Sequence, residues 1–84
     1  MRFQPTRLSL DEQQETGRLF HHGATHFMAA QAGQVEEATL ARLFFFAVLE
    51  RATLEDWPQA WWETHQLLKE CEAFLAHHRS DGAE

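Results

Sequence analysis

Leu43-Phe44-Phe45-Phe46-Ala47-Val48-Leu49 is the longest unbroken apolar run in the chain. Its length suits a buried strand as well as a segment of helix, so length alone does not choose between them. Its neighbours do. The chain has no Tyr and no Ile, and alternating stretches of Val, Ile, Thr or Tyr, the mark of a half-buried strand, are absent. Alanine, leucine, glutamate and arginine flank the run, and these are strong helix formers. Glu36 and Glu37 precede it and Arg51 follows it, the order of charge that a helix dipole favours. The run is therefore predicted to lie within a helix over about 35–52.

Upstream, Gly33 sits where a helix would end in a left-handed residue. Ser9 and Glu12 have capping-box spacing, which predicts a first helix over about 9–32. Leu10, Gly17, Phe20, Ala24, Phe27 and Met28 are its expected apolar stripe. Gly17 and Gly23 each cost a helix about 1 kcal/mol against alanine, so each is expected to serve a close helix approach or, at Gly23, a kink. Downstream, Thr53-Leu54-Glu55-Asp56 reads as a turn, and Pro58 suits the first turn of a third helix over about 57–78. Its expected stripe is Trp61, His65, Leu68, Cys71 or Glu72, and Leu75. Short turns make neighbours antiparallel. The predicted fold is all-α: a small antiparallel three-helix bundle forming one domain over 1–84, with flexible ends at about 1–8 and 79–84.

Seven consecutive apolar residues cover almost two helical turns and point in every direction. Two antiparallel neighbours cover only part of that circumference. The bundle is thus expected to be completed by self-association or by a partner, and Phe44, Phe45 and Val48 are the expected contact residues on the run. Trp57, Trp61 and Trp62 form a second expected contact cluster, because tryptophan is enriched where proteins bind one another. Trp57 and Trp61 lie one turn apart, whereas Trp62 points about 100° away.

Charge and motifs remove other classes. The formal charge of −6 disfavours a phosphate-backbone binder, which needs a basic stripe. The first two turns of the third helix contain no base, so no nucleic-acid partner is expected. Cys71 is the only cysteine, and no disulfide framework is expected. The N-terminal residues lack the apolar segment of a signal peptide, and no run approaches membrane-spanning length. A cytoplasmic location without membrane attachment follows as the expectation. No nucleophile elbow, phosphate loop or paired-cysteine zinc signature occurs, and Cys71 lies on an apolar stripe. No enzymatic activity and no cofactor are expected.

The chain has six histidines. His22 and His26 are one helical turn apart on one face, so they are candidate ligands for zinc or another transition metal, if further ligands come from the third helix. Glu-x-x-His, the pattern of di-iron bundles, is absent. The leading expectation is a small acidic protein-interaction module of adaptor, chaperone, immunity or inhibitor type. It would act through helix two and the tryptophan-rich start of helix three, as a homodimer or with another protein. The alternative is a transition-metal-binding bundle built on His22 and His26.

Overall fold

The computed structural model describes residues 8–82. It is a small all-α three-helix bundle: α1 (Leu10–Gln31), α2 (Glu37–Arg51) and α3 (Pro58–Gly82). Of the two ends expected to be flexible, residues 1–7 and 83–84 lie outside the described residues. The helix predicted to stop at 78 continues to Gly82; no proline or glycine breaks it earlier, and the Phe74 and His78 rings pack one turn apart at 4.4 Å.

The local signals act as read. The Ser9 hydroxyl accepts the Glu12 N–H at 3.1 Å, and the Ser9 N–H donates to Glu12 Oε1 at 2.9 Å. Gly33 takes φ +128°. The Gly33 N–H donates to the Ala30 carbonyl and the Gln34 N–H to that of Ala29, both at 3.1 Å. This closing pattern satisfies carbonyls that the helix end would leave open. Helix α2 starts two residues later than predicted because Val35 and Glu36 form a tighter turn. The Ala38 N–H reaches the Val35 carbonyl at 3.0 Å and the Thr39 N–H that of Glu36 at 3.2 Å, bonds spanning three residues instead of four. Thr53 shapes the second turn, its hydroxyl accepting the Asp56 N–H at 3.1 Å, and Pro58 opens α3.

Helix α2 packs on both α1 and α3, while α1 and α3 meet far less. Ala38, Ala41, Phe45, Val48 and Ala52 are buried, and their spacing of three and four residues forms one stripe. The opposing buried residues are Thr16, Gly23, Phe27 and Ala30 on α1, and Thr64, Leu68 and Cys71 on α3. Alanines dominate α2's buried stripe, which lets its neighbours come close. The molecule measures 51 × 21 × 18 Å, two helix diameters across its short axes. Every helix therefore keeps an outer face.

Two expected stripes hold in part: Phe20 and Phe27 on α1, and Leu68, Cys71 and Leu75 on α3, belong to the core or pack against it. On α1, Leu10 and Met28 are 68% and 66% exposed, and the buried stripe runs through Thr16, Gly23, Phe27 and Ala30 instead. Gly23 explains the phase. A Cβ there would lie 2.7 Å from Phe45 Cε1 and 3.1 Å from Phe44 Cβ, so α1 turns its smallest residue to the phenyl groups of α2. Gly23 serves a close approach, and α1 runs through it unbroken. On α3, Thr64 is buried while Trp61 and His65 are half-exposed and Glu72 is exposed.

Candidate interaction surface

The apolar run of α2 divides into three sides. Phe45 and Val48, expected at an interface, are 0% and 1% exposed and belong to the interior. That placement corrects the expectation: the 3–4 spacing of Ala38, Ala41, Phe45, Val48 and Ala52 puts both residues on the side facing α1 and α3. Phe44 lies half-buried on the α1 flank. His26 stacks on its ring at 5.4 Å and 10°, and His22 lies against it at 5.4 Å. The imidazoles thus cover a side chain expected to be a contact.

The outer side carries Leu40, Leu43 and Phe46, exposed by 41%, 58% and 40%. These residues hold the surplus apolar circumference. Arg42 lies over the Phe46 ring, 5.3 Å from its centroid, and its Nε donates to Glu72 Oε2 at 3.2 Å. This pair fixes the register. From Arg42 one turn along α2 leads to Phe46, and from Glu72 two turns back along antiparallel α3 lead the same way to His65. Phe46 and the Trp61–His65 cluster therefore share a flank.

In that cluster Trp61 stacks on His65 at 4.7 Å and 10°, and Trp62 meets Trp61 edge-on at 5.0 Å. Trp57 and Trp61 are half-buried, while Trp62 is 57% exposed. Trp62 is thus the tryptophan most open to a partner. The sequence reading missed Leu40, Leu43 and Phe46. The signal for them was the alanine spacing, which marks the inner side of α2 and leaves these three opposite.

The candidate metal ligands are brought to other partners. His26 Nδ1 lies 2.5 Å from Glu37 Oε1, linking the end of α1 to the start of α2, and His22 rests on Phe44. Among the described residues, no group of three or more His, Cys, Asp or Glu side chains converges as a metal site would require.

Cys71 is 0% exposed and donates its thiol hydrogen to the Ala38 carbonyl at 3.1 Å. Burial raises its pKa above the ordinary 9.0; Arg42 opposes that shift and Glu72 adds to it. The thiolate is the reactive form, so native Cys71 is expected to react with a water-soluble disulfide reagent only as fast as the bundle opens. Labelling rates in rising urea check this. Fast, urea-independent labelling would contradict the burial. The linkage has a definite sign: the folded thiol keeps its proton where the unfolded one loses it. Its contribution to stability is intact below pH 9.0 and is lost as pH rises through the folded pKa.

Among the described residues no helix is long and apolar enough to cross a membrane. Comparison with family models, with curated proteins and with solved structures gives no match for this chain.

Proposed function

We propose that this protein is a small acidic interaction module, and that the occupant of its contact surface is a second copy of itself. The observation that carries the reading is the exposed stripe Leu40, Leu43 and Phe46 on the outer side of α2. Trp62, 57% exposed on α3, adds apolar surface on a neighbouring helix. At roughly 200 Å² for a fully exposed large side chain, these four leave on the order of 400 Å² of apolar surface in water. A standard interface takes about 800 Å² from each partner, of which about 450 Å² is apolar. The summed area approaches the apolar share that one protomer of a stable dimer contributes.

Shape supports a second copy. A two-fold axis near Leu43 lays α2 antiparallel on α2 of the other copy, as an isologous contact requires. Leu40 of each copy then meets the small Ala47 of the other, so a large side chain opposes a small one at both ends of the seam. The same register sets Glu36 of one copy opposite the exposed Arg51 of the other, but each copy carries a net charge of −6 and repels the other as a whole. Added salt should consequently tighten the association, whereas a contact built on opposite charges would loosen.

Leu43→Glu combined with Phe46→Glu tests the surface. Both residues lie outside the buried stripe, so the helical circular dichroism should persist while the dimer dissociates at least tenfold more readily. Association unchanged in that variant would remove α2's outer side from the interface.

A further inference from the structure

Leu10, Gly17 and Ala24 stand seven residues apart on α1, and Ala60, Leu67 and Phe74 stand seven apart on α3. Both rows border the same gap. Helices α1 and α3 each pack on α2 and meet each other little. Between their N-terminal halves lies a half-open cleft of about 170 Å³, with Gly17 on one wall, Ala60 on the other and Val48 of α2 behind. A row of this spacing drifts only about 20° for every seven residues. Two turns beyond the cleft the rows therefore come level again at Ala24 and Leu67, both half-buried. The Phe27 and Phe74 rings meet at 5.8 Å near the far end. Leu10 and Met28, at the two ends of the α1 side, are exposed.

The monomer itself has no use for Gly17. A Cβ there would meet nothing within 4 Å, whereas one at Gly23 would strike Phe45. The helical cost of this second glycine is therefore not offset by closer packing within the chain. Facing rows with a seven-residue repeat are the pattern into which a further helix sets its side chains. An apolar cavity of about 150 Å³ accommodates benzene, so the cleft has room for one large side chain of such a helix. Charge narrows the choice. Glu63 lines the cleft, and Glu70 follows two turns later on the same side of α3. Both are exposed, and each stands three residues after a member of the α3 row. Neither the rows nor the cleft lining contains a lysine or an arginine.

We propose that the groove between α1 and α3 docks an amphipathic helix of another protein, one whose apolar face is flanked by lysine or arginine. Its apolar side chains would enter the cleft and cover Leu10, Ala24 and Met28, and its bases would meet Glu63 and Glu70. A second copy of this chain does not suit the groove, because its net charge of −6 brings further acid against those two residues. The groove faces away from Leu40, Leu43 and Phe46, so docking there is independent of the self-association described above.

Leu10 to Met28 covers about 27 Å at about 1.5 Å per residue, which sets the length of the probe. It is a capped synthetic peptide of about 20 residues, with leucine at every third or fourth position and lysine on both flanks. Two controls accompany it: the same peptide with glutamate for lysine, and a scrambled peptide of the original composition. Amide chemical-shift mapping on the whole chain should give saturable shifts centred on residues 10–28 and 60–74 with the lysine peptide, and none with either control. Glu63→Lys combined with Glu70→Lys should weaken the lysine peptide at least about tenfold. Gly17→Leu should weaken it by a similar factor while raising the urea midpoint of the free protein, since the new side chain enters open space on a better helix former. That pairing separates a blocked groove from a damaged fold. Leu43→Glu with Phe46→Glu should not weaken the peptide. Shifts centred on residues 40–46, equal binding of either control, or binding unchanged in both groove variants would overturn the proposal.

Discussion

Phe45→Ala is expected to destabilise the bundle by about 3–5 kcal/mol, the usual cost of emptying a buried phenylalanine site. The site has little means of collapse. Phe45 is 0% exposed, its ring lies 6.0 Å from that of Phe20, and it closes on the backbone of Gly23. Most of its other neighbours on α2's inner stripe are alanines, which cannot extend into the gap. A domain of this size has about 4–12 kcal/mol in total, so the substitution removes a large share of it. Phe46→Ala provides the contrast. That ring is 40% exposed, and the cost should stay below about 1 kcal/mol for the monomer. Urea midpoints followed by circular dichroism, in dilute protein, measure both. Equal midpoints for the two variants would contradict a buried Phe45 beside an exposed Phe46.

Gly23→Val is expected to cost about 2–3 kcal/mol, although valine is the better helix former. The added Cβ would stand 2.7 and 2.9 Å from Phe45 ring atoms, and the fully buried ring has nowhere to withdraw. The two sites therefore act as one. Gly23→Ala should be destabilising with Phe45 in place and clearly less so in a Phe45→Leu background, where the ring is gone and the helix preference of about 1 kcal/mol is set against the single tight approach to Phe44 Cβ at 3.1 Å. A double-mutant cycle with a coupling above about 1 kcal/mol bears this out. Additive effects would mean that α1 does not approach α2 at Gly23.

The helices themselves were legible because their ends are written in local chemistry. Ser9 with Glu12, Gly33 and Pro58 act within a turn of where they stand, and each does what its residue type allows. The phase of the helices was not legible in the same way. Which side of α2 faces inward depends on what meets it, and Phe45 and Leu43 are equally apolar. Gly23 decides that question from another helix, through a space that becomes visible only when α1 and α2 are placed together. The same holds for Leu10 and Met28, which read as core by periodicity and lie in water because Gly23 sets the rotation of α1. Thr16 and Thr64 are polar residues on buried stripes, so an apolar pattern passes over them. Trp62 was legible from its angle alone, since it lies about 100° from Trp61 on the same helix.

The arrangement of α2 ties these threads together. Its inner side builds the monomer from small residues and one phenyl ring, its α1 flank is covered by imidazoles, and its outer side keeps Leu40, Leu43 and Phe46 in water. Leucine and phenylalanine on an uncovered side add nothing to solubility, and that is the ground for proposing a contact there.

Sedimentation equilibrium of the unmodified chain across a wide range of concentrations tests the central claim most directly. A mass that rises from 9.8 kDa to twice that value, at lower concentrations when salt is added, is the predicted result. A chain that stays at the monomer mass up to the highest concentration, at every ionic strength, would contradict it.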